Sequence, residues 1–261
     1  MNPRFLESMI RVKKSVKPKN PILIMGLPGV GFVSKLAADH LIKTSQAEHF
    51  ATLYSPNFPN QVIAMKNGAL RPFSMRFYYK KFKKRDVVIL KGDVQPLTVE
   101  GQYEVTGKIL EFFQRLGGSE VVAMAGYALN RTKEKPDVFC SATSKSYLEY
   151  FYKLGAKPNQ AVIPIVGMAG LVPAISRLYH MRGTCLLVET PGQAIDATGA
   201  SVLLDLISKM LGDRIDTKTL RGKAEKAEHF LKKIELQARK EEQAGFAIPE
   251  TPKKDVLSYI H

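Results

Sequence analysis

The residues best placed for chemistry begin with the glycines of Gly26-Leu27-Pro28-Gly29-Val30-Gly31, which open an apolar-periodic run. A glycine-rich turn feeding a helix can set free N–H groups and the positive helix end against an anion. Gly26, Gly29 and Gly31 are therefore ligand-binding candidates. The spelling differs from the common phosphate loops: it lacks a Gly-Lys-Ser/Thr end and reads GxxGxG rather than GxGxxG. Pro28 also removes one N–H from any such cradle. The alternative reading is that these glycines only let the turn close and the helix approach a sheet. A second group is Glu189, at the end of Thr184-Cys-Leu-Leu-Val-Glu189-Thr190, with Asp196 beyond the Pro191-Gly192 turn. Two carboxylates at neighbouring element ends can serve as acid and base or hold a divalent ion. An acid at a helix start is equally favoured by the helix dipole. Asp93 and Gln95 in Lys91-Gly92-Asp93-Val94-Gln95-Pro96, with Tyr127 and Asn130, form a third set that also suits caps and turns. No positioned histidine or nucleophile motif accompanies these groups, so the expectation is no catalytic residue, no metal and no cofactor.

The elements that must position these residues follow from periodicity. Pro21 to Gly26 reads as a buried strand, and Val33, Leu36, Ala37 and Leu41 mark a helix face after the glycines. Phe5 to Val12 reads as a helix or an edge strand. Strands are expected at Phe50–Tyr54, Val62–Met65, Phe73–Tyr79, Val87–Leu90, Val121–Ala125, Val138–Ala142, Ala161–Val166 and Thr184–Thr190. Helices are expected from about Glu100 to Leu116, after Ser144 as a possible N-cap, from Leu171 to Tyr179, and from Asp196 to Leu211. Repeated strand and helix alternation with short links predicts an α/β domain, its mostly parallel or mixed central sheet flanked by helices. In such a sheet the loops at 26–31, 92–96 and 126–130 open on one edge, where a ligand crevice would lie. The predicted organisation is a basic lead-in over 1–20, a single core domain over 21–222, an amphipathic C-terminal helix over 223–244 and a partly mobile tail over 245–261.

With 261 residues and 45% hydrophobic content, the chain can bury one sizeable core. Its net charge of +15 suits an acidic protein surface or nucleic acid, and it also suits a protein from a hot environment. The densest basic run, Lys80-Lys-Phe-Lys-Lys-Arg85, has Tyr78, Tyr79 and Phe82 interleaved. That pattern superficially matches an RNA-binding patch, but a solvated turn between strands explains it as well, and nucleic acid is the less favoured partner. Cys140 and Cys185 lie far apart in apolar runs, which fits a cytoplasmic protein with buried thiols. No secretory apolar run follows the six basic groups of the first twenty residues, and no stretch of eighteen apolar residues occurs, so neither export nor a membrane is expected. The Ser55-Pro56-Asn57-Phe58-Pro59-Asn60 loop is a candidate recognition surface, or else Phe58 plugs the core.

Taken together, Gly26 to Gly31, Leu90 to Pro96 followed by Tyr103, Val166-Gly-Met-Ala-Gly170-Leu, Leu186 to Gly192 with Asp196 and Ala200, and Leu211-Gly-Asp-Arg-Ile215-Asp216 before Leu220 resemble the proteasome assembly chaperone family of the second-subunit type, in its archaeal form. The motifs match in order over roughly residues 20 to 245. The resemblance implies a fold similar to nucleoside phosphorylases, cytosolic residence, homo-oligomers, and binding to proteasome α subunits or a paralogous chaperone rather than catalysis. The alternative reading is an enzyme or ligand-binding protein acting on a nucleotide or other phosphorylated small molecule. Members of the broad family have been compared with ATP-grasp enzymes, but no paired lysine and magnesium-binding carboxylates are evident here.

Beyond the core, Ala224, Ala227, Leu231, Ile234 and Ala238 recur at steps of three and four with Lys or Glu around them. This is a narrow apolar seam for another helix, a neighbouring subunit or the protein's own domain. The chain ends in Leu257-Ser-Tyr259-Ile260-His261, a candidate partner-binding tail. Some members of the family and other proteasome activators end in hydrophobic, Tyr, any residue, which inserts between α subunits. Here Tyr259 stands third from the end rather than second.

Overall fold

The computed structural model describes residues 7–129, 133, 135–159, 161–192 and 195–220. All of them belong to the first of two units, Met1–Ala224; the second, Glu225–His261, lies outside the described residues together with the predicted seam and tail. In chain order the strands are β1 (Met9–Val12), β2 (Ile22–Gly26), β3 (Glu48–Tyr54), β4 (Val62–Ala64), β5 (Leu70–Pro72), β6 (Met75–Lys81), β7 (Asp86–Gly92), β8 (Glu120–Ala128), β9 (Val138–Ala142), β10 (Lys157–Pro158) and β11 (Arg182–Thr190). The α-helices are α1 (Val33–Ser45), α2 (Val99–Arg115), α3 (Lys145–Leu154), α4 (Met168–Ser176) and α5 (Ala197–Leu211).

Nine strands form one mixed sheet in the order β1-β3-β6-β7-β2-β8-β11-β9-β10. Its centre, β7, β2, β8 and β11, is parallel, and antiparallel strands flank it on both sides. The residues of β2 alternate between two cores. Ile22 and Ile24 pack with α1, α3 and α5, whereas Leu23 and Met25 pack with α2 and α4. Because both faces are covered, β2 is apolar without interruption, the signature of a buried parallel strand. The α/β class with a central mixed sheet between helices is thus the observed architecture.

Local capping fixes several helix starts. Ser144 Oγ accepts from Tyr147 N–H, Thr98 Oγ1 from Gly101 N–H, and Asp196 Oδ1 from Gly199 N–H at 2.8 Å. Met9–Val12 is the edge strand of the two expected alternatives, pairing antiparallel with β3. Two strand expectations change. Val62–Ala64 forms a separate hairpin with β5, outside the main sheet. Residues 161–166 are not a strand, because β11 already pairs with β8 on one side and β9 on the other. The run instead places Ile163 and Ile165 on the cluster of Phe139, Cys185 and Leu187, and leaves Val162 and Val166 exposed.

Candidate functional site

The parallel strands bring the loops after β2, β7 and β8 to one end of the sheet, and the first two touch. Gln95 spans the space between them: its side-chain N–H donates to the Pro28 carbonyl at 2.6 Å, and its Oε1 accepts from Met168 N–H at 3.0 Å. Gln95 therefore ties the glycine turn to the first residue of α4, which has no side-chain cap of its own. Asp196 plays a parallel part. Besides capping α5, it donates its backbone N–H to the Gly31 carbonyl, joining the same turn to α5.

The three glycines of the turn do different things. A Cβ on Gly26 would lie 2.3 Å from Ala38 Cβ and 2.5 Å from the Ser34 carbonyl oxygen, so this position sets the approach of α1 to the sheet. Gly31 has φ +62 and faces Thr190, whose Oγ1 a Cβ would meet at 2.5 Å. Gly29 has open space around its Cβ position. Close packing accounts for Gly26 and Gly31.

The remaining candidate carboxylates are held by internal cations. Asp93 accepts from Arg71 at 2.5 Å, from Arg76 at 3.4 Å and from the Ser74 N–H at 3.1 Å. Burial works to raise its pKa, but the Arg71 hydrogen bond and the two guanidinium charges outweigh it and lower the carboxyl below its ordinary value. Glu189, buried at the end of β11, is paired with Lys133 at 2.6 Å and accepts from Asp137 N–H at 2.9 Å. Lys133 also holds Asp137, which Lys157 reaches at 2.7 Å. Hydrogen bonds to Glu189 and then Asp137 raise the Lys133 pKa, keeping it cationic. Lys133 carried no signal in the sequence, because its partner is 56 residues away. Asn130 lies outside the described residues. Asp93, Glu189 and Asp196 are thus held by separate structural contacts, and among the described residues no group of three or more His, Cys, Asp or Glu could hold a metal ion.

The basic run forms the β6–β7 turn, and its aromatics face inward rather than toward a nucleic acid. Phe82 is buried, Tyr79 donates to Asp86 at 3.0 Å, and Tyr78 packs against His49 at 5.3 Å between ring centroids. Arg85 is committed to Glu120 at 2.8 Å, and Lys83 lies 3.5 Å from Asp213. Phe58 is buried as well, which selects the core-filling alternative for its loop. Cys140 and Cys185 are both buried free thiols, pushed up to about 12 by burial. No helix among the described residues is long and apolar enough to cross a membrane.

Known proteins share this architecture. The structure is similar to that of Pyrococcus furiosus PbaB, described as an archaeal proteasome activator, at 37% identity and a TM-score of 0.79, covering 88% of this chain and 99% of that one. Pyrococcus furiosus PbaA, described as an archaeal homolog of proteasome-assembly chaperone, shares the fold at 24% identity and a TM-score of 0.75, over 90% of this chain and 99% of that one. An uncharacterized protein of Methanocaldococcus jannaschii is 31% identical over 251 residues, 96% of each chain. The model of the PAC2 family matches residues 23–235. The likeness expected from the ordered motifs is therefore real, and the chain belongs to the PAC2 family.

Proposed function

We propose that this protein is a non-catalytic, oligomeric binding protein that assists proteasome assembly or associates with proteasome α subunits in the cytoplasm. The observation that carries this reading is the likeness to PbaB over nearly the whole of that chain. The internal partners of Asp93, Gln95, Glu189 and Asp196 favour binding over catalysis, since each group already has a structural task. The net charge of +15 adds long-range attraction to an acidic partner surface.

The tail is the proposed recognition element, an aromatic anchor with a terminal carboxylate at Leu257, Tyr259, Ile260 and His261. Deleting 257–261 is expected to weaken binding to purified proteasome α rings more than about tenfold, or about 1.4 kcal/mol, with the oligomeric mass unchanged. Titrations belong near ~0.15 M salt, where diffuse charge attraction is screened. Equal affinity of the full and shortened chains would leave the body as the docking surface, and no binding by either would reject the reading.

Oligomerisation is proposed to use the seam of Ala224, Ala227, Leu231, Ile234 and Ala238. Replacing Leu231 and Ile234 together by Asp is expected to lower the mass seen by light scattering while circular dichroism stays unchanged, because charge would enter an apolar contact. An unchanged mass would exclude the seam as an intersubunit surface.

A further inference from the structure

At the carboxyl ends of β2 and β8 the chain order reverses: β2 leads by way of α1 and the antiparallel strands β3 and β6 to β7 on one side, and β7 leads by way of α2 to β8 on the other. Such a switch point leaves a crevice where α/β proteins bind ligands. Here it holds a cavity of about 340 Å³, walled by the glycine turn, the end of β8 and the 163–166 loop. That is the small end of the range of roughly 300–1,000 Å³ for ligand pockets.

Its chemistry is specific. Among the described residues lining it there is neither an acid nor a base. Leu27, Met124, Ile163, Ile165 and Leu187 make the wall largely apolar. Ser34, in the first turn of α1, also lines it; Ser34 is 4% exposed, and its Oγ is buried with no hydrogen-bond partner. A hydroxyl in that position is costly unless a ligand completes it. Helix α1 begins at the same wall with no side-chain cap and no acidic residue in its first turn, so none of these offsets the roughly half positive charge at the start of the helix. Tyr127 adds a second hydroxyl-bearing side chain to the lining.

We propose that this cavity binds a small apolar carboxylic acid, with the carboxylate at Ser34 and the start of α1 and the hydrocarbon against Leu27, Ile165 and Leu187. A phosphate monoester fits less well: it carries about −1.5 to −2 charges at pH 7 and would meet no lysine or arginine there. The proposal rests on neither the tail nor the seam, so it stands or falls independently of proteasome binding.

Octanoate is the probe, titrated into the full-length protein by isothermal titration calorimetry, with octanol, inorganic phosphate and AMP as comparators. Saturable binding of octanoate is expected, with octanol, phosphate and AMP each weaker by about tenfold or more. Ser34→Ala should weaken octanoate about tenfold, the loss of one hydrogen bond to a charged group. The same substitution should raise the melting temperature of the free protein, because it removes an unpartnered buried hydroxyl. Ala169→Phe, which fills the cavity from α4, should abolish octanoate binding. The proposal is overturned if octanoate does not saturate, if phosphate or AMP binds more tightly, or if Ser34→Ala binds octanoate as the native protein does. Should Ala169→Phe not fold, Ser34→Ala decides alone.

Discussion

Replacing Glu120 by alanine is expected to lower the free energy of unfolding by about 3–5 kcal/mol, the cost of stranding a buried charge. Glu120 opens β8 at the amino-terminal end of the parallel strands, opposite the candidate site. Its carboxylate accepts from Arg85 at 2.8 Å, Arg182 at 2.5 Å and the Tyr147 hydroxyl at 2.9 Å. Arg182 is half exposed and stacks over the Tyr147 ring at 5.0 Å, so its share of the pairing is screened. Arg85 is not: its side chain is 19% exposed and its Nε is buried without a partner. Without Glu120, a largely buried guanidinium and a buried phenol would both lose their acceptor. Guanidinium denaturation at pH 7 measures the effect, and a loss below about 1 kcal/mol would show that water replaces the carboxylate.

The same network fixes the direction of the acid dependence. Burial acts to raise the Glu120 pKa, but the Arg85 hydrogen bond and charge dominate and lower it. Against burial, the Lys35 and Lys91 charges do the same for Asp39, and Arg71 and Arg76 for Asp93. When a carboxyl's pKa is lower folded than unfolded, the unfolded chain binds more protons in the titration range. Stability is therefore fully present above about pH 4.5 and is lost as the pH falls through the folded values. In Glu120→Ala the acid-dependent fall should be visibly shallower than in the native protein.

Gly183→Ala should cost about 3 kcal/mol, at the upper end for overpacking, because the neighbour that must yield is backbone. A Cβ there would sit 1.9 Å from the Pro173 carbonyl oxygen and 2.6 Å from Ser176 Oγ. Those groups cannot turn aside. Pro173 lies within α4, and Ser176 Oγ already donates to the Pro173 carbonyl at 2.7 Å. Gly183 is pinned too, its N–H on Thr143 Oγ1 at 2.9 Å and its carbonyl on Thr143 N–H at 2.9 Å. Either α4 lifts from the sheet or β11 leaves its staple. Gly29→Ala is the control: with open space and an extended φ of −172, its stability should change by less than about 1 kcal/mol. Equal melting temperatures for the two variants would contradict this packing.

The sequence by itself determined whatever depends on neighbours a few residues away. Ser144 was legible as an N-cap and Asp196 as an acid at a helix start, because each and the amide it meets are three residues apart. The α/β alternation was legible because covering both faces of β2 leaves an unbroken apolar run between proline and glycine. Tertiary structure decided what depends on which groups meet across the chain. The run at 161–166 has a strand's composition but no free neighbour for its backbone, so it lies on the side chains of the sheet instead of joining it. Asp93 and Glu189 looked available for chemistry until Arg71, Arg76 and Lys133 came to meet them. Gln95 looked like a turn residue, yet it bridges Pro28 and Met168, which are 67 and 73 residues away. Ser34 had no motif at all. Its hydroxyl acquired meaning only when the glycine turn, the end of β8 and the 163–166 loop closed a cavity around it, since desolvation is a property of the assembled fold and not of any one segment.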